Sequence, residues 1–191
     1  MNLFAVIRSL ILAIVGIIMF SGFWSGNTLD TQRAQRIQQS NEVLKLLYKH
    51  APESKEMIAN AYGYATSSNV GVNLILLSAE GGKGMAHVNS MGKNTYMNMA
   101  SGGVGFGLGV KDFRAIFIFE NKTVFDQFVN VGWEANVQAD IAAKLSDKGA
   151  AYGAAITVAP GMHLYKLTEN GLALQATIQG TKYWKDRELN K

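Results

Sequence analysis

Residues 99–140 constrain the fold more than any other stretch, because glycine takes every second position at Gly103, Gly105, Gly107 and Gly109. Val104, Phe106, Leu108 and Val110 stand between and after them. A period of two is the strand period, so one face of such a strand is bare backbone and the other apolar. Glycine weakens a strand through chain entropy and lost side-chain contact. A glycine face therefore implies close approach by another backbone, an aromatic ring or a ligand chain. Lys111-Asp112 reads as a tight connection to a second strand over residues 113–119. Ala115, Phe117 and Phe119 on one face, with Ile116 and Ile118 on the other, predict cover from both sides. Residues 120–123 close this hairpin and open a short helix, with Asn121 or Thr123 as N-cap and Val124, Phe125, Phe128 and Val129 at helical spacing. Gly132-Trp133-Glu134 ends it.

Gly103-Val104-Gly105 begins like a dinucleotide fingerprint, but Leu108 stands where the last glycine belongs. A strand pair follows, whereas the fingerprint needs strand, turn and helix in that order. Taken together, Ala100-Ser101-Gly102, Phe106-Gly107, the apolar strand to Phe119, the short helix and Gly132-Trp133-Glu134 resemble the SYLF family. The resemblance extends over residues 61–183. It implies a lipid-binding module without catalytic activity. Some eukaryotic members bind phosphoinositides, and some also bind actin.

A chain of 191 residues with 48% hydrophobic and 17% charged residues can bury one ordinary core. The net charge of +4 favours anionic surfaces, and membrane phosphate suits it as well as nucleic acid does. No Lys/Arg run or RNA-type aromatic motif supports a nucleic-acid partner. Cysteine is absent, which excludes disulfides, thiolate metal sites and an acylated cysteine anchor.

Residues 9–29 carry no charge, a length sufficient to span a bilayer as a helix. Arg8 precedes this run and Asp30 follows it, which places the N-terminus in the cytoplasm and the remainder across the membrane. A cleaved signal peptide needs a small-x-small site. The available positions put Trp24 or Phe20 at minus three, so an uncleaved anchor is the expectation. The anchor leads straight into the domain, without the SH3 module of some eukaryotic relatives, and this points to a bacterial-type member.

Residues 30–50 read as a helix with an apolar stripe of Ala34, Ile37, Leu44, Leu47 and Tyr48. Arg33, Arg36, Lys45 and Lys49 lie among them, suited to a solvated face or to anionic headgroups. Pro52 opens a second helix with Met57 and Ile58 inward. Ser68-Asn69 is turn chemistry, residues 70–78 form an apolar strand, and residues 79–84 a loop or kinked bulge. Asn170-Gly171 is a strong hairpin signal joining residues 163–167 to 172–178. The polar last twelve residues read as a frayed end.

His50, His87 and His163 have no ligand-type spacing, and no G-x-S-x-G elbow is present. Glu134 and Asp140 are scattered acids suited to solvation or capping. Trp133 is a core or interface anchor. Two candidate lipid sites remain. One is the bare face of Gly103, Gly105, Gly107 and Gly109; the other is Lys111, Arg114 and Lys122, near one another in sequence around the expected hairpin and helix start.

The expected fold is α+β, a mostly antiparallel curved sheet or partial barrel with glycine-rich strands and helices before and within it. The expected organisation is an anchor or signal peptide at 1–29, a helical lead-in at 30–60, a SYLF-like domain at 61–183 and a polar tail at 184–191. The expected function is non-catalytic binding of anionic phospholipid or another lipid, with no cofactor, metal or nucleic acid. The protein is expected at the bacterial inner membrane with its domain facing the periplasm, or free in the periplasm after cleavage. The alternative is an envelope scaffold whose partner is another protein.

Overall fold

In the computed structural model the described residues are 28–75, 77–103, 107–135, 155–168, 171–172 and 181–191. The expected anchor lies outside them, as do Gly105 and Asp140. The chain divides into two compact units, Met1–Gln32 and Arg33–Lys191. In the first, Thr28 Oγ1 accepts from the Thr31 amide at 3.2 Å, capping the start of the first helix.

The fold is α+β and mostly antiparallel sheet. Helix α1 spans Leu29–His50 and α2 Ser54–Asn60. Four long strands follow: β1 Gly63–Ile75, β2 Leu77–Val88, β3 Lys93–Gly103 and β4 Gly107–Phe119. Helix α3, Lys122–Asp126, runs into a π-helical turn at Gln127–Val131. Strands β5 Trp133–Ala135, β6 Ile156–Ala159, β7 Met162–Thr168, β8 Gly171–Leu172 and β9 Thr181–Lys185 complete the set. The order across the sheet is β5-β9-β3-β2-β1-β4-β7-β6, and β8 pairs with β7.

The strands are longer than their turn residues predict. β1 and β2 stay in register from Gly63↔Val88 to Leu74↔Leu77, so Ser68-Asn69 is strand interior and residues 79–84 are no loop. The Asn69 side chain lies across Gly82, where an added Cβ would fall 2.3 Å from Oδ1. The two loop-like signals therefore accommodate each other inside the sheet. The expected strand at 70–78 is instead divided between β1 and β2, which pair antiparallel up to Leu74↔Leu77. An unbroken aliphatic run gives no sign of that division.

The expected hairpin between the glycine strand and residues 113–119 is also corrected. β4 runs unbroken through Lys111 and Asp112, held by Lys111↔Gly71 and Asp112↔Val70. β3 lies between β2 and β9, whereas β4 lies between β1 and β7. The turn-like Lys-Asp pair is overridden by ladder partners on β1, a case of tertiary pairing outweighing local preference. The β7–β8 pairs Leu167↔Leu172 and Thr168↔Gly171 agree with the hairpin expected around Asn170-Gly171.

The sheet curls into a half-barrel, and two rings measure the curl. β4 and β9 are four strand steps apart, about 19 Å in a flat sheet. Yet the Phe117 and Tyr183 rings meet edge to face at 5.0 Å between centroids. The face carrying both is therefore the inside. Phe117, Phe119, Phe128, Met99, Leu164 and Tyr183 are buried there, with Trp133 packed against them. Asn121 caps α3, its side chain accepting from the Val124 amide at 3.1 Å, which brings Phe125 and Phe128 down onto this core.

The outer face carries α1 and α2. Val43, Leu44 and Leu47 pack on Tyr64, Ile116, Ile118, Tyr165 and Leu167. β4 is thus covered on both faces, as its apolar pattern predicts. The α1 stripe begins with polar residues rather than Ala34, which is exposed: Arg36 and Ser40 are the buried positions. Thr66 Oγ1 donates to Ser40 Oγ at 2.8 Å, and Arg36 lies 3.7 Å from Asp186. The last residues are not frayed. Leu189 is 2% exposed against Met85, Tyr96 and Ile37, and Arg33 Nε donates to its carbonyl at 2.9 Å.

Candidate functional site

Register assigns every residue of the long strands to a face. Asn69, Gly71 and Asn73 follow Ala65 and Ser67 on the inner face of β1. Their partners give two neighbouring rows across the barrel: Lys111, Gly71, Glu80, Ser101 and Thr181, then Gly109, Asn73, Ser78 and Gly103. Gly107 stands opposite Ile75 one row further on. Glycines from three strands, β1, β3 and β4, therefore gather on one stretch of the inner face.

Between this stretch and the aromatic core lies a polar step. Ser67 is 4% exposed, Asn69 3% and Tyr183 4%. The Tyr183 phenol has Ser67 and Asn69 as polar neighbours, and burial pushes its pKa up to about 12 against their opposing effect. Ser67 Oγ and Asn69 Oδ1 are wholly enclosed beside that phenol. One row beyond, Thr181 Oγ1 donates to Ser101 Oγ at 3.0 Å. Below the step, a crevice lined by Ser67, Gly84, Met97, Phe117, Phe128 and Tyr183 is too narrow to admit water. Gly84 is required there, because a Cβ would fall 2.2 Å from the Thr66 carbonyl oxygen.

The expected basic cluster does not assemble. With β4 continuous, Lys111 lies about 26 Å along the strand from Phe119, and Arg114 about 16 Å from it. Lys122 follows on α3, exposed and ion-paired with Asp126, whose hydrogen bond raises the ammonium pKa. Arg114 is half-buried on β4 opposite Ser68 and Leu167. Trp133 is an anchor, with ring centroids 5.3 Å from Phe117 and 6.0 Å from Tyr183. Gly132 before it has φ 89°, and a Cβ there would meet the Tyr183 carbonyl oxygen at 2.7 Å.

The other titratable groups serve local structure. His163 Nε2 lies 2.8 Å from Glu120 Oε1 and its Nδ1 3.1 Å from Thr157 Oγ1. His87 Nδ1 lies 2.7 Å from Asn94 Oδ1. Glu134 pairs with Lys182 at 3.7 Å. Among the described residues no three metal-ligating side chains come together. Sequence reading missed Ser67, Asn69 and Tyr183. The alternation Ala65, Ser67, Asn69 was there to be read, but it is masked by the turn preference of Ser68-Asn69.

No family model matches the chain. It is 35% identical over 147 residues to the Beta cell expansion factor A of Aeromonas veronii, covering 76% of this chain and 54% of that protein. The chain therefore spans about half the length of the curated relative it matches.

Proposed function

We propose that this chain is a non-catalytic lipid-binding module of the SYLF type that takes an apolar chain along the inner face of its half-barrel. The observation that carries the reading is the gathering of Gly71, Gly103, Gly107 and Gly109 into neighbouring rows of that face. Backbone bared at Gly71 on β1 and at Gly107 and Gly109 on the adjacent β4 lets an acyl chain lie close to the sheet, where side chains would otherwise hold it off.

The uncharged run at residues 9–29 supports a place at the bacterial inner membrane, with the domain on the periplasmic side or exported there after cleavage. Among the described residues, no helix is long and apolar enough to cross a membrane. The net charge of +4 supports an anionic bilayer as the surface from which lipid is taken.

Lipids extracted from the native protein and identified by mass spectrometry test the reading. The parent should carry lipid at near-stoichiometric amounts, and Gly109→Val should reduce it while leaving circular dichroism unchanged. A parent protein free of lipid would overturn the reading and favour a protein partner instead.

A further inference from the structure

We infer that the turn over residues 186–191 is a latch on the first half of α1: closed, it engages Arg33 and Arg36; released, it presents both to an anionic bilayer. This rests on the membrane reading above and assigns its regulation. The turn docks on β3 just beyond the end of β9. The Asp186 amide donates to the Tyr96 carbonyl at 2.9 Å. The Asn190 side chain then imitates a strand residue, its Oδ1 accepting from the Tyr96 amide at 3.0 Å and its Nδ2 donating to the Tyr96 carbonyl at 2.8 Å. Leu189 fills a socket of Met85, Tyr96 and Ile37. Helix α1 grips this turn from above. Arg33 donates from Nε to the Leu189 carbonyl at 2.9 Å and from Nη2 to the Lys191 carbonyl at 3.2 Å, and Arg36 lies 3.7 Å from Asp186.

The two halves of α1 are held differently. Val43, Leu44 and Leu47 bury apolar side chains on the sheet. Between residues 33 and 40 the buried positions are Arg36 and Ser40, and Ile37 packs at the socket that Leu189 fills. An ion pair of 3.7 Å offsets little of the desolvation of a guanidinium, and Arg36 Nη1 has no hydrogen-bond partner among the described residues. The first half of α1 therefore opens at lower cost than the second, and it opens together with the turn. Arg33 and Arg36 are also the first basic residues after the uncharged run at 9–29. The latch holds them with carbonyl and carboxylate oxygens, and headgroup phosphate offers oxygens of the same kind with a full negative charge.

The test combines hydrogen exchange and vesicle binding on the full chain. Amides of residues 34–40 and 188–190 should exchange together, and about tenfold faster than those of 43–47, because a helix end without tertiary contact frays. Leu189→Ala should speed both groups further and leave residues 115–119 unchanged. It should also raise the ratio of affinities for phosphatidylglycerol over phosphatidylcholine vesicles by about tenfold, the order that two basic residues supply at a surface. The ratio removes the contribution of the uncharged run, which both vesicles share. Adding Arg33→Gln and Arg36→Gln to Leu189→Ala should return the ratio to that of the parent. Asn190→Ala leaves the socket filled and should move both readouts the same way by a smaller factor; it decides the matter if Leu189→Ala also speeds exchange at 115–119. Faster exchange in the turn alone, with α1 unchanged, would overturn the latch. Faster exchange in both with an unchanged ratio would overturn the presentation of the arginines. The lipid reading is decided separately, by the lipid extracted from the native protein.

Discussion

Arg36 on α1 and Asp186 beyond β9 form an ion pair of 3.7 Å, with their side chains only 5% and 15% exposed. Burial pushes the Arg36 guanidinium pKa below its usual value, and the Asp186 carboxylate pulls it back. Asp186 Oδ1 also accepts from the Glu188 and Leu189 amides at 3.0 and 3.1 Å, so one carboxylate holds the helix and shapes the terminal turn.

Asp186→Ala should therefore cost about 2–4 kcal/mol, since it leaves a buried guanidinium without its counter-charge and removes the one acceptor of two capping hydrogen bonds. Arg36→Met should cost less, because it removes the charge that needs compensation. Urea denaturation of the parent and the two variants checks the order.

Gly84 on the inner face should separate sharply under substitution from Gly81 and Gly102, which the register places on the outer face. Gly84→Ala puts a Cβ 2.2 Å from a backbone oxygen of Thr66, whereas Gly81 and Gly102 have nothing within 4 Å of theirs. Gly84→Ala should destabilise by about 2–3 kcal/mol through overpacking. Gly81→Ala and Gly102→Ala should fall within about 0.5 kcal/mol of the parent. Thermal or urea midpoints decide it.

Alkaline pH should weaken the fold through Tyr183. Its phenol is held protonated up to about 12 in the folded chain, against about 10 unfolded. The unfolded state therefore loses its proton first, and stability present below pH 10 is lost as pH rises towards 12. The size is of order 2–3 kcal/mol at full titration. In Tyr183→Phe the urea midpoint should fall less steeply between pH 9.5 and 11.5, as about two units of titration are removed. Parallel slopes in the two proteins would mean that other groups govern the alkaline limb.

On anionic vesicles Lys122→Gln should change binding by less than about twofold, since an exposed lysine already paired with Asp126 contributes little. Replacing Lys111, Arg114 and Lys122 together should weaken binding by about tenfold at most at low salt, because the three charges are spread along β4 and onto α3 rather than focused. Sedimentation at two salt concentrations measures both, with circular dichroism as the folding control.

Elements whose pattern depends only on nearby residues were legible in the sequence. The two-sided apolar run from Ala115 to Phe119, the Asn121 cap and the Gly132 stop all appear in the structure as their spacing predicts. Strand ends were not legible, because Ser68-Asn69, Lys111-Asp112 and the glycines at 81–84 have turn chemistry that long-range ladder partners override. Arg36 and Ser40 were misassigned for a related reason. Their burial depends on Asp186 and Thr66, distant in sequence and silent in a helical periodicity. The inner glycine rows combine both cases: the alternation at 103–109 is local, but meeting Gly71 requires the register of β1 with β4.

The position of β9 between β3 and β5 also sets an order of events. Tyr183 pairs with Met99 and Trp133, partners far behind it in the chain, so the wall that closes over Phe117 is the last to be synthesised. Until β9 arrives, a growing chain holds the Phe117, Phe119 and Phe128 rings with one side unsealed. Closure over such separations is slow and exposes sticky surface in the interval. The inner core is thus sealed only after the other described strands have been made.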